Sequence, residues 1–233
     1  GQCIGANALA AVGSAYTLMV FLISILLGLS MGSGTVFSLQ YGAGDLSALR
    51  RSIYVSLLLI GTVTILLNVA VFLWLDPILR WLQVPYDIYP LMRNYLWIIF
   101  WGIVFTFLYN FYAALLRAVG DSVTPLWFLA VSVVLNIGLD LFLILVLDQG
   151  IEGAAVATVI AQGTAASGIL LYTYKTRPEL RLHREDMCFD RSSLREITSF
   201  STLTCVQQSV MNFGILMVQG LVNSFGTVVM AAF

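Results

Sequence analysis

Asn136 and Asp140 stand four residues apart within the stretch Leu135-Asn-Ile-Gly-Leu-Asp-Leu-Phe-Leu-Ile-Leu-Val-Leu147. On an α-helix that spacing puts a carboxamide and a carboxyl on one face, about 6 Å apart along the axis. Pro125 to Leu147 is a run of 23 residues in which Asp140 is the only charge, enough to cross an apolar layer of about 30 Å. Of the twelve acidic residues, all the others lie in polar connections or at segment ends. A carboxylate inside such a layer costs at least about 2.5 kcal/mol on insertion scales, so it marks a functional site by default. The competing role is structural: a protonated aspartate, hydrogen-bonded to Asn136 or Ser132, that holds helices together.

The elements that position this pair follow from composition. With 60% hydrophobic residues, 10% charged residues and a mean hydropathy of +0.94, the chain reads as an all-α membrane protein, a polytopic transmembrane helix bundle. Six apolar spans are expected: Ala6 to about Ser38, Ile53–Trp74, Leu91 to about Leu116, 125–147, Gly153–Tyr174 and Ile197–Val222. A seventh begins after Asn223-Ser-Phe-Gly226. Gly28 and Gly32 have the small-xxx-small spacing that lets two helices approach closely. Asp76 to Pro90 should hold a short interfacial helix and turn. Lys175 to Glu196, where basic and acidic residues alternate, reads as a charged linker or solvated tether between two bundles. The expected organisation is therefore one lobe over 1–174, a linker over 175–196 and the start of a second lobe over 197–233.

Several chemistries are excluded. A net charge of −1 gives no bulk attraction to nucleic acid. Cys3, Cys188 and Cys205 have no metal-binding or disulfide-framework spacing, and His183 is the single histidine. There is no HExxH, no paired-aspartate site and no Walker sequence; Met31-Gly-Ser-Gly34 lies in an apolar helix with no Lys-Ser/Thr after it. An intramembrane enzyme, the alternative from another class, lacks its catalytic constellation, and no cofactor is expected. Counting basic residues on alternating sides gives nine against two: Arg50, Arg51, Arg117 and six from Lys175 to Arg195 against Arg80 and Arg93. The basic side, with 40–52, 117–124 and 175–196, should be cytoplasmic in a multi-pass protein of the cell membrane, which puts Asp140 in the outer half of its span. The chain shows no cleavable signal and reads as starting and stopping mid-protein. Gly5-Ala-Asn-Ala-Leu-Ala-Ala11 is echoed 221 residues later by Gly226-Thr-Val-Val-Met-Ala-Ala232, the kind of internal repeat on which transporter lobes are built.

Five motifs together carry a resemblance: Gln40-Tyr-Gly-Ala-Gly-Asp45, Leu116-Arg-Ala-Val-Gly-Asp-Ser-Val-Thr-Pro125, Asn136-Ile-Gly-Leu-Asp140, Gly153-Ala-Ala-Val-Ala-Thr158, and Gln207-Gln208 with Leu221-Val-Asn-Ser-Phe-Gly226. In this order and spacing the chain resembles the multidrug and toxic compound extrusion (MATE) transporters, from their second helix to the start of the eighth. The resemblance implies a six-helix amino-terminal lobe lacking its first helix, plus the beginning of the second lobe. It also implies cation-coupled antiport, driven by H⁺ or Na⁺, of organic and often cationic compounds. The cation site would use Asp140, Asn136, Asn110 and Thr158, with any Na⁺ held at Asp140 and Asn136. These oxygen donors suit a hard cation and a protonated carboxyl alike. Substrate-facing candidates are Tyr95, Gln207 and Gln208; Trp97 and Trp101 could equally form an interfacial aromatic belt. A lipid-linked oligosaccharide flippase of a related superfamily is the nearer alternative, but all eleven Lys and Arg lie outside the span cores, where a pyrophosphate would need them. The partners implied are small organic molecules, the lipid bilayer and the remaining helices of the full-length transporter.

Overall fold

The computed structural model describes residues 6–81, 89–186 and 190–224. Its helices are α1 (Ala6–Gly42), α2 (Leu46–Trp81), α3 (Tyr89–Trp101), α4 (Ile103–Ala118), α5 (Val123–Leu141), α6 (Gly150–Thr176) and α7 (Arg191–Ser224). Four of them, α1, α2, α5 and α6, contain stretches long and apolar enough to cross a membrane, and α3 with α4 makes a fifth span. α1 is central, packed on α2, α3, α4 and α7, while α5 reaches the rest of the bundle mainly through α6. Phe111 of α4 fills the middle, edge-on to Phe37 of α1 at 5.8 Å between ring centres.

The third span is not the single helix expected over 91–116. It bends by 44° between α3 and α4, because the Gly102 N–H turns back to Ile99 O at 2.8 Å, one residue short of the α-helical partner. A side chain at Gly102 would lie 2.8 Å from Val159 of α6, so the bend rides on a close helix contact. Asn68 of α2 supports it by donating its side-chain amide to Phe100 O at 3.0 Å. α2 continues past Pro77, where the sequence suggested a stop, and Asp76 accepts from Tyr89 Oη and Arg93 Nε, both at 2.9 Å. Of the interfacial helix and turn expected from Asp76 to Pro90, residues 76–81 instead continue α2 and Tyr89 and Pro90 open α3, while 82–88 lie outside the described residues, as does the glycine-alanine echo apart from 6–11.

The small-xxx-small pair finds its partner on α7. A Cβ on Gly32 would collide with the Ser201 backbone, and one on Gly28 would lie 2.8 Å from Cys205 Sγ. Ser201 and Cys205 are themselves four apart, so two small-residue stripes face one another. At this distance Ser201 Oγ donates to Leu29 O at 3.2 Å, and Asn212 Nδ2 donates to Ser24 Oγ.

Part of the charged linker is docked rather than a solvated tether. Residues Pro178–Leu180 and Arg184–Asp186 form short 3₁₀ turns, and Leu180 is buried. Arg50 Nε meets Asp186 Oδ2 at 2.9 Å, Arg177 reaches Asp121 at 3.9 Å, and the Arg181 guanidinium sits 4.5 Å over the Tyr174 ring. Three connections therefore share one end of the bundle. Burial alone would push the Asp186 carboxyl up, but the His183 N–H and the Arg50 guanidinium outweigh it and hold it below its ordinary 3.8. A group depressed on folding contributes fully above its unfolded value and loses that contribution as pH falls through the folded one.

Gly32→Val in the full-length protein should cost about 1–3 kcal/mol through overpacking against α7, read as a lowered Tm, whereas Gly42→Ala, which meets nothing within 4 Å, should leave Tm unchanged. A wild-type Tm for Gly32→Val would refute the close contact. Arg50→Gln should lower hydrogen-exchange protection of 178–186 at pH 7 by about fivefold, the equivalent of about 1 kcal/mol. The wild type should keep that protection at pH 5 and lose it only below 3.8.

Candidate functional site

The site is built by the antiparallel register of α5 on α6. Asp121 starts α5, accepting from the Thr124 N–H at 3.1 Å and the Thr124 hydroxyl at 2.8 Å. The left-handed turn at Asp148 and Gly150, with φ of 49° and 56°, sends the chain back as α6. Ser132 Oγ then donates to Ala161 O at 3.0 Å, and Asn136 Nδ2 donates to Thr158 Oγ1 at 3.3 Å. One further turn along the same face, Asp140 comes level with Ala154, whose carbonyl accepts from Thr158 Oγ1 at 2.9 Å. Immediately beyond, Phe142–Val146 widens into a π turn over the approach of Gly153 to Leu143, a local irregularity common beside functional positions.

Asp140 Oδ1 is buried and has no hydrogen-bond partner among the described residues. Asn136 does not satisfy it, since the Asn136 amide is turned to Thr158. Tyr95 of α3 is buried and close enough to feel the Asp140 charge. α3 and α5 are held on α6 at this level, α3 by Asn94 Nδ2 donating to Glu152 Oε1 at 2.9 Å. Asp140, Asn136 and Thr158 therefore form one polar group with a single acidic member. It has an unpaired acceptor, a hydroxyl and an amide, which is a donor set for one small cation, H⁺ or Na⁺.

The other expected members are elsewhere. Asn110 donates to Thr106 O of its own helix at 2.8 Å. Thr106 meets Gln162 of α6, so Asn110 lies one turn further on, near the level of Ala166. That is twelve α6 residues from the level of Asp140, or about 18 Å at 1.5 Å per residue. Gln207 and Gln208 sit on α7, which packs on α1 and α2, away from α5 and α6; Gln207 is exposed and Gln208 half-buried. Trp97 and Trp101 are exposed and bracket Phe72, with ring centres 4.5 and 5.4 Å away. Sequence reasoning missed the Thr106–Gln162 pair. Both residues are polar within otherwise apolar spans, the same signal that singled out Asp140, but neither carries a charge.

A family model, MatE, matches residues 1–142. The chain belongs to the MatE family. It is 34% identical, over its whole length, to the probable multidrug resistance protein YpnP of Bacillus subtilis (strain 168), covering 52% of that protein. It is 27% identical to the multidrug export protein MepA of Staphylococcus aureus (strain NCTC 8325 / PS 47), over 94% of this chain and 50% of the relative. The chain thus spans about half the length of the curated relatives it matches. Among solved structures, an inward-facing conformation of a multidrug resistance MATE family transporter of the MOP superfamily aligns with a TM-score of 0.86 at 22% identity, covering 93% of this chain and 50% of that one. An outward-facing conformation of such a transporter aligns with 0.87 at 21%, covering 96% and 50%. MatE membership and the apolar helices make this a multi-pass membrane protein with a transporter fold rather than an enzyme.

Proposed function

We propose that this chain forms part of a secondary transporter that exports organic compounds in exchange for H⁺ or Na⁺, with Asp140 as the coupling carboxylate. The observation that carries this reading is the buried, unpartnered Asp140 Oδ1 beside the Asn136–Thr158 pair. An ionised carboxylate there is costly, and a bound cation removes that cost, so the lobe is stable with cation bound or with the carboxyl opened to water. Compounds that are exported would bind the opened, anionic form, and cation binding would expel them. Thr158 and Asn136 fix the orientation of the site, and Tyr95 closes it on the α3 side. Multidrug export is what the name of the relative MepA describes. The energetic coupling is what Asp140 adds.

The test uses the full-length protein in vesicles, comparing wild type with Asp140→Asn, with ethidium efflux recorded under a pH gradient or a sodium gradient imposed separately. Wild type should respond to one gradient and thereby name the ion. Asp140→Asn, inserted at wild-type level, should respond to neither, with a rate at least about 100-fold lower. Efflux by the mutant at the wild-type rate would leave Asp140 a structural hydrogen-bonding group.

A further inference from the structure

A cavity of about 580 Å³ opens among α1, α4, α5 and α6, on the side of the bundle where Arg117 and Ser122 lie. Its polar lining includes Thr106, Asn110, Ser132 and Gln162. Ser132 is not an isolated member: Ser132, Asn136 and Asp140 follow one another at steps of four along α5, so the cavity lining and the candidate cation site lie on one continuous stripe. Across from it, Thr158 and Gln162 repeat that step on α6, and Thr106 and Asn110 repeat it on α4. At its deep end Thr106 Oγ1 donates to Gln162 Oε1, and this pair lines both the cavity and the small space next to it. Beyond that pair, toward Ile99, Phe100 and Ile103, the neighbouring space shrinks to about 10 Å³, which is room for one water at most.

We propose that this cavity is the inner vestibule by which the coupling cation passes between Asp140 and the Arg117 end of the bundle, with the Thr106–Gln162 pair as its gate. The reading rests on the cation-coupled exchange proposed above and adds the route. The vestibule holds amide and hydroxyl groups but no carboxylate, so it solvates a cation without retaining it. Arg117, for which no ion pair is found among the described residues, adds a repulsion at the mouth that keeps the vestibule a passage rather than a second binding site. The gate is made of two neutral side chains, so opening it exposes no buried charge.

Water access and gating are tested separately in the full-length protein. Ser132→Cys and Asn110→Cys, placed in a background with Cys3, Cys188 and Cys205 replaced by serine, are treated from the Arg117 side with a membrane-impermeant methanethiosulfonate. Val134→Cys, on the exposed apolar face of α5, is the control. Labelling at Ser132→Cys and Asn110→Cys should be at least about tenfold faster than at Val134→Cys, as expected for water-lined against lipid-facing positions; equal labelling overturns the vestibule. Thr106→Val keeps the shape and loses the hydroxyl, while Thr106→Ser keeps it. Thr106→Val should change the cation-driven efflux rate by about tenfold with drug Kd unchanged, and Thr106→Ser should stay near wild type. Identical rates for both variants overturn the gate. Labelling does not depend on coupling: if Asp140→Asn still exports drug at the wild-type rate, the exchange reading fails even where the vestibule is labelled.

Discussion

An acidic oxygen buried in an apolar helix bundle with nothing to bond to sets the terms for the rest of this structure. Asp140 Oδ1 is such an oxygen. Left ionised and dry it would cost the fold several kcal/mol. Among the described residues, the surrounding helices bring no arginine or lysine to that oxygen. They offer a hydroxyl, an amide engaged elsewhere and a phenol. A lysine partner would neutralise the carboxyl permanently and leave nothing to exchange. Neutral neighbours leave that charge uncompensated among the described residues, which is the ground for the exchange proposed above.

Close helix contacts flank the site, although the tightest among the described residues is Gly32 against the Ser201 backbone. Gly102 against Val159 draws α4 onto α6, and Gly153 against Leu143 draws the π turn onto the start of α6. Both contacts lie within a few turns of Asp140 and set the register of α4 and of the π turn on α6. Gly28 and Gly32 make a third close contact, α1 on α7. Since α7 begins the second lobe on the expected organisation, this crossing joins the site-bearing lobe to its neighbour. The docked segment 178–186 belongs to the first lobe by its contacts, because Arg50 and Leu180 tie it to α2 and its surroundings. Asp190 caps α7 by accepting from the Ser192 and Ser193 N–H groups.

Much of this was legible in the sequence because membrane physics writes in large letters. Apolar runs of 20 or more residues gave the helices, the lone intramembrane carboxylate pointed to the candidate site, and Asn136, four residues before it, bonds Thr158. The small-residue spacing at Gly28 and Gly32 also became the contact it suggested. What failed depended on height and on neighbours, which a linear pattern does not encode. Asn110 is polar and intramembrane but sits some three turns away from Asp140, because the register of α4 on α6 is fixed by Gly102 and Thr106. Gln207 and Gln208 went with α7 to the other side of α1. The bend at Gly102 looked like any glycine in an apolar span, since only Val159, 57 residues later, makes it necessary. The docking of the linker rests on Leu180 and Leu182, two apolar residues among charges, and on the Arg50–Asp186 pair.

The most direct test of the central claim needs no gradient. Purified full-length protein in detergent, titrated with a transported drug in weakly buffered solution, should release one cation per drug bound: a proton seen by a pH indicator, or a sodium ion seen by displacement of the radioactive ion. The release is expected in wild type and absent in Asp140→Asn, with the mutant still binding drug. Drug binding that releases nothing from the wild type, or releases as much from Asp140→Asn, would contradict the assignment of Asp140 as the group through which cation and drug compete.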